Sequence, residues 1–322
     1  MKLAALDLGS NSFLCLIGSM DKSGKVVVEE DLLRVVRLGE GLSHSKKFHP
    51  EALARADEAL SYFSQVIRKR QCDHVLAFAT AAARDATNQD DFFRLCQKHQ
   101  IPMEIISGGD EAQLTYGGAL CEVDGLPKLN LQTTSHRLVI DIGGRSTEFV
   151  LGKQGKIQFA RSLNMGCVGM TEKWVSQTPV TAEMRNQIQV EIQTIIAETM
   201  SEILGLIQGS GLDVIAVAGT PTTLASMEIG SYDVSRVEGY AFTGQQLEVF
   251  AQKLAAQTPK QIQQIYGIDP KRADVIYIGS EILCQIEKTI SKIRPLGCPI
   301  KVSTKGIRYG VIMELMKRLT HQ

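Results

Sequence analysis

Two short glycine segments hold the residues best suited to chemistry in this 322-residue chain: Asp7-Leu8-Gly9-Ser10-Asn11-Ser12 and Asp141-Ile142-Gly143-Gly144-Arg145-Ser146. Each follows an apolar run with the character of a buried strand, Leu3-Ala4-Ala5-Leu6 in the first case and Leu138-Val139-Ile140 in the second. An aspartate at the carboxyl end of such a strand places its charge at the sheet edge, where α/β proteins bind ligands. The glycine two residues later lets backbone N–H groups approach an anion closely, and the polar side chains that follow add donors. The repeated Asp-x-Gly-x-x-Ser unit therefore predicts two copies of one phosphate-handling device, facing each other across a cleft. Asp7 and Asp141 suit a hydrated Mg²⁺, a hard cation that uses few carboxylates and keeps several waters. Neither segment has P-loop spacing, so no lysine is placed on the phosphates as in those enzymes.

Further candidates stand at other strand ends. Gly219-Thr220-Pro221-Thr222-Thr223 is rich in N–H and hydroxyl donors, and suits either a phosphate or nucleoside contact or a plain turn with an N-cap. Glu111 falls in the first turn of a helix just after a strand, where a carboxylate can deprotonate a water aimed at phosphorus. An acidic residue there is more commonly a dipole or capping partner. Ser107 and Asp110, just before it, have capping-box spacing. Arg84 and Arg145 can each fork onto phosphate oxygens. For Arg84 by itself a surface ion pair is the plainer reading, whereas Arg145, inside a glycine loop, must point either into the site or out to solvent. The six histidines form no metal-ligand pattern, no nucleophile elbow is present, and the sparse aromatics offer no platform for stacked bases.

Those residues need rigid elements to position them. A helix is predicted over 50–70, with Pro50 in its first turn and Leu53, Ala56, Leu60, Phe63 and Ile67 at the helical period. Strands are predicted at 2–8, 12–18, 25–29, 75–79 and 103–106, the first two as antiparallel neighbours joined by the first glycine loop. A helix then runs to about Cys121, and the polar stretch from Glu122 to Ser135 reads as a linker. Beyond it the opening pattern recurs: strand, glycine loop, strand, turn, strand. Helices follow at 181–208, 244–256, 272–290 and 306–319, with strands at 214–218 and 301–303. Strands carrying glycine loops, with helices between them, define an α/β class. Lysine plus arginine balance aspartate plus glutamate at 35 each, which argues against a dedicated binder of nucleic-acid polymers. The apolar runs stop short of the roughly 18 residues a membrane span needs. Asp7 comes too early for a signal peptide, and seven cysteines without a CxxC pair suit a reduced, cytoplasmic protein without structural zinc.

The ordered motifs resemble the exopolyphosphatase/guanosine pentaphosphate phosphohydrolase family of the actin/sugar kinase/heat-shock-70 superfamily. The resemblance rests on both glycine loops, Arg37-Leu38-Gly39-Glu40-Gly41-Leu42, Ala79-Thr80 through Arg84-Asp85-Ala86, and Ser107-Gly108-Gly109-Asp110-Glu111-Ala112. Ser146-Thr147-Glu148, Met165-Gly166-Cys167-Val168, Gly219 through Ala225 and Gly306-Ile307-Arg308-Tyr309-Gly310 complete it, so that it covers residues 3 to about 316. It implies two ribonuclease-H-like (actin-like ATPase) domains, 1–124 plus 304–322 and 125–303, with a cleft between them. It also implies Mg²⁺-dependent release of terminal orthophosphate from inorganic polyphosphate or guanosine pentaphosphate, and a homodimer. Glu111 would activate the water, with Asp110 as its rival, and Asp7, Asp141 and Glu148 would govern the metal. Gly9, Ser10, Asn11, Ser12, Gly143, Gly144, Arg145, Ser146, Gly219 and Thr220 would grip phosphates, with positive charge from Arg84 and from Arg308 or Lys305. The chain departs from the family where Arg145 replaces a usual glycine, Asp110 a second glutamate, and Lys305 and Tyr309 the commoner Arg and Glu. Longer members append helical domains that have no counterpart here, which favours short chains or a nucleotide as substrate. The alternatives are an ATP-using kinase or ATPase of the same superfamily and a non-catalytic polyphosphate- or alarmone-binding module.

Overall fold

The computed structural model describes residues 1–132, 135–207, 211–292 and 299–320; Thr133 and Thr134 of the expected linker, Gln208 of the expected long helix and residues 321–322 lie outside them. The chain forms two compact units, one of Met1–Leu126 joined by the segment from Lys305 onward, the other Pro127–Thr304. Each is α/β.

The first unit is built on a five-stranded sheet of β1 (Leu3–Leu8), β2 (Ser12–Met20), β3 (Val26–Val35), β4 (His74–Ala79) and β5 (Met103–Ile105), in the order β3-β2-β1-β4-β5. β1 to β3 form an antiparallel meander, and β4 and β5 continue the sheet in parallel with β1. β3 runs well past the five residues expected of it. Pairing with β2 from Val26↔Met20 to Val35↔Ser12 holds its Glu-Glu-Asp stretch in the ladder, where side-chain pattern alone ends the strand. Strand alternation gives the sheet two apolar faces. Ala4, Leu6 and Leu8 pack with Ala56, Leu60, Phe63 and Ile67 of the Pro50–Lys69 helix, which has Pro50 in its first turn as expected. Leu3 and Ala5 face the other way, onto Ile307, Tyr309, Val311, Ile312 and Leu315 of the chain's last helix, Ile307–Thr320. Asp7 shares the parity of Leu3 and Ala5 and so ends the row on that second face.

The second unit repeats the scheme. Its strands are β6 (His136–Ile142), β7 (Thr147–Lys153), β8 (Lys156–Leu163), β9 (Leu212–Val217), β10 (Ala241–Phe242) and β11 (Ile300–Val302), in the order β10-β11-β9-β6-β7-β8. Again the loop-bearing strand has an antiparallel neighbour formed by the hairpin, β7, and a parallel neighbour, β9. Leu138, Ile140, Ile142, Phe149 and Leu151 face one core with the long Ala182–Leu206 helix. Asp141 and Glu148 therefore stand on the opposite face.

Among the described residues no helix is long and apolar enough to cross a membrane, and six cysteines are free thiols.

Candidate functional site

The two glycine loops fold alike in detail. Gly9 N donates to Ser12 O at 3.2 Å, and Gly143 N donates to Ser146 O at 3.0 Å. A Cβ on either glycine would meet that same carbonyl, at 3.0 Å from Ser12 O or 3.1 Å from Ser146 O. Glycine is favoured by this close approach of the backbone, not by a left-handed φ.

In the first unit the loop is anchored by its own polar groups. Ser10 is buried; its carbonyl accepts from Gly39 N at 2.8 Å and its Oγ accepts from Ala82 N at 3.2 Å. Asn11 O accepts from the N–H groups of Val36 and Arg37, while Asn11 Oδ1 is buried with no hydrogen-bond partner among the described residues. Ala82 belongs to the Ala81–Asp85 helix that follows β4, and this turn carries Arg84. Arg84 Nη1 donates to Glu111 Oε2 at 2.7 Å and to Ile106 O at 2.9 Å. Glu111 lies in the first turn of the Gly108–Leu120 helix, only 8% exposed. A continuous set of contacts thus runs from Ser10 through Ala82 and Arg84 to Glu111. Burial pushes the Glu111 carboxyl up, Arg84 opposes this by its charge and hydrogen bond, and the net direction is upward.

Asp110 is differently placed. It is exposed, its N–H donates to Ser107 Oγ at 3.1 Å, and its Oδ2 accepts from the Ser107 hydroxyl at 2.6 Å. Ser107 caps the helix at the predicted position, but Asp110 turns to the Ser107 hydroxyl and not to the Ser107 N–H, so the reciprocal half of a capping box is not made. Two other expected cations are engaged structurally: Arg308 donates to both carboxylate oxygens of Asp31, and Lys305 Nζ donates to Cys121 O.

In the second unit the loop carbonyls cap a helix that side-chain patterning did not reveal. Cys167 N donates to Gly143 O, and Val168 N and Gly169 N donate to Gly144 O, starting the Cys167–Trp174 helix without a side-chain cap. Gly166 packs so closely that a Cβ there would overlap the Arg145 backbone. Arg145 does not run out to solvent; it is 6% exposed, with Nη1 3.8 Å from Glu172 Oε2. Asp141 and Glu148 are register partners on β6 and β7, so both carboxylates rise from the same face. Glu148 is 1% exposed and accepts from Ser162 Oγ at 2.7 Å.

Gly219 and Thr220 open the Gly219–Ile229 helix instead of forming a free loop, after a sharp turn at Ala218 with φ 75°. Register makes this turn the counterpart of Thr80-Ala81 in the first unit: Asp7 pairs with Phe78, two residues before Thr80, and Asp141 with Val217, one residue before Ala218. Sequence reasoning missed Arg272, which it placed inside a helix over 272–290. A short Pro270–Ala273 helix capped by Asp269 precedes the Ile276–Ser291 helix and turns Arg272 aside. Arg272 Nη1 donates to Thr223 Oγ1 at 2.7 Å, and its guanidinium lies against Gly219. The Cys167 thiol sits beside Thr220 and Arg272, between this turn and the glycine loop. Arg272 makes no ion pair among the described residues. A capped, proline-started turn is legible in sequence, but nothing local ties it to a threonine 49 positions away.

No group of three or more His, Cys, Asp or Glu side chains able to hold a metal occurs among the described residues. The carboxylate pair Asp141 and Glu148 still fits a hard cation such as Mg²⁺, which draws much of its coordination from water and phosphate.

Duplicated sheets with this order and a glycine loop after the central strand define the ribonuclease-H-like architecture of the actin/sugar kinase/heat-shock-70 superfamily. The model for the Ppx/GppA phosphatase family matches residues 20–319, and the chain belongs to that family. Exopolyphosphatase 2 of Mycobacterium tuberculosis is 29% identical over 98% of this chain and 98% of its own. A bifunctional 3-dehydroquinate synthase/phosphatase of Fusobacterium nucleatum is 30% identical over 88% of this chain and 42% of its own. The crystal structure of an exopolyphosphatase from Cytophaga hutchinsonii shares the fold, with a TM-score of 0.87 at 22% identity over 99% of this chain and 98% of that one.

Proposed function

We propose that this protein releases orthophosphate from the end of linear inorganic polyphosphate, or from guanosine pentaphosphate, by Mg²⁺-dependent hydrolysis of the terminal phosphoanhydride. The observation that carries the reading is Glu111, a buried carboxylate held by Arg84 and linked through Ala82 to the first glycine loop. Membership of a phosphatase family and the likeness to a protein named exopolyphosphatase support the substrate class.

In this reading each glycine loop binds phosphate oxygens. The N–H groups and side chains of Gly9, Ser10, Asn11, Ser12, Gly143, Gly144, Arg145 and Ser146 offset charge on the phosphate oxygens, with Gly219 and Thr220 adding donors. Glu111 takes a proton from water as the water oxygen bonds to the terminal phosphorus, and the bond from that phosphorus to the bridging oxygen breaks. The shortened chain leaves with the bridging oxygen, and Glu111 returns its proton to solvent. Asp141 and Glu148 would hold Mg²⁺, which when bound supplies positive charge against the phosphate oxygens, and Asp7 offers the matching carboxylate in the first unit. Asp110, spent on the helix cap, is the poorer base.

The test is orthophosphate release with Mg²⁺ from short polyphosphate, long polyphosphate, guanosine pentaphosphate and ATP, by wild type, Glu111→Gln and Asp110→Asn. Glu111→Gln should lose at least about a hundredfold in kcat, in line with general-base catalysis. Full activity in that variant removes Glu111 from the role, and preference for ATP turns the reading toward an ATPase.

A further inference from the structure

The guanidinium of Arg84 is engaged on one side only. Nη1 serves both Glu111 Oε2 and Ile106 O, whereas Nε and Nη2 have no protein partner among the described residues. The side chain is a quarter exposed, while that of Glu111 is about a tenth exposed. Nε and Nη2 make up the side of the planar group that binds two oxygens of an anion at once. The backbone that carries the arginine is anchored, because Ala82, two residues before it, is tied to Ser10 of the glycine loop.

We propose that Arg84 is a positioning residue with two working edges: Nη1 aims Glu111, and the Nε–Nη2 edge takes oxygens of the substrate phosphate, so that the arriving anion relieves Glu111 of the guanidinium's field. This rests on the reading of Glu111 as the base. Among the described residues, Arg84 is the charged group whose field bears on Glu111. Asp110 on the same helix is turned into the Ser107 cap. On the neighbouring elements, Arg318 of the last helix is paired with Glu104 of β5. In the free protein, Arg84 works against the upward push of burial and keeps Glu111 a weaker base. With phosphate oxygens on the other edge that opposition is offset, and burial prevails. The base is then strongest only when there is something for it to hydrolyse.

The experiment is a pair of pH–rate profiles for orthophosphate release from inorganic tripolyphosphate with Mg²⁺. The acid limb of kcat/KM reports the free protein, and that of kcat reports the complex. For wild type the kcat limb should lie at higher pH than the kcat/KM limb. In Arg84→Gln the kcat/KM limb should move up to meet it, with KM raised about ten- to a hundredfold, the range for loss of a charged hydrogen bond. Arg84→Lys keeps the charge without the fork; it should retain the limb position while KM still rises. As a readout apart from turnover, the Glu111 carboxyl is titrated by carbon-13 difference spectra against Glu111→Gln, without metal. Tripolyphosphate should raise its midpoint in wild type but not in Arg84→Gln. Coincident wild-type limbs, or limbs and midpoint unmoved by either Arg84 substitution, would overturn the proposal. An acid limb that persists in Glu111→Gln instead overturns the base assignment, so the two failures are distinct.

Discussion

Glu111 combines two demands that conflict. Its burial suits a base, yet its carboxyl is held above the usual value of 4.5, so ionising it costs folding free energy. A group raised on folding favours the native state below its unfolded value, and that contribution is lost as pH rises through the folded value. Glu111→Gln should therefore unfold at higher temperature than wild type at about neutral pH, with the difference gone below about pH 4. Scanning calorimetry across that range checks it, and a variant less stable at neutral pH would contradict it. Ser107→Ala, which removes the cap ahead of the same helix, should cost about 1 kcal/mol. At this scale the sequence supplied the residue types but not their partners. Arg84 and Glu111 are 27 positions apart, and only the parallel pairing of β4 with β5 brings the ends that carry them together.

The helices around the site are held by contacts too close for a side chain. A Cβ on Gly118 would overlap Gly306 O, and one on Gly310 would overlap Leu114 O, so the Gly108–Leu120 and last helices meet backbone to backbone. Gly118→Ala should destabilise the first unit by about 1–3 kcal/mol, the usual cost of overpacking, and lower kcat by shifting the helix that carries Glu111. Chemical denaturation and kinetics on the same sample test both effects. In the second unit, Glu281 has no exposed surface and is bound by Arg185, Gln189 and Gln285. Arg185→Met strands that carboxylate and should cost about 3–5 kcal/mol. Glu248 belongs to the same network. Burial pushes its carboxyl up, but hydrogen bonds from Lys288, Gln252, Arg185 and Cys284 prevail and hold it at about 2. Its contribution is present above the ordinary carboxylate range and lost as pH falls toward about 2, so Glu248→Gln should destabilise at about neutral pH and be silent at that acid limit. Elements with strong periodicity, such as Pro50–Lys69 and Gly244–Ala255, were legible in the sequence. Cys167–Trp174 was not, because its start is fixed by the carbonyls of a loop more than twenty positions upstream.

For the molecule as a whole, the last helix belongs to the first sheet. Ending the chain at Thr304 would strip Tyr309, Val311, Ile312 and Leu315 from the face of Leu3, Ala5, Leu16 and Phe78. The shortened protein should lose the cooperative unfolding transition of the first unit while that of the second persists, as followed by circular dichroism and binding of a hydrophobic dye. A retained first transition would mean that this helix is dispensable. The recurrence of the glycine segment was visible at once, since tight strand–turn–strand units write themselves in consecutive residues. So were the α/β class and the chemistry open to an aspartate, a close-packed glycine and a serine. Tertiary structure alone decided what those groups do next. It gave Asp110 to a cap, laid Arg145 beside Glu172, sent Arg308 to Asp31, and paired Arg84 with Glu111 and Arg272 with Thr223, partners that one-dimensional spacing does not reveal. The physical reason is range: local sequence fixes backbone preference and strand-end chemistry, whereas a guanidinium's partner is set by sheet register and helix packing over tens of residues.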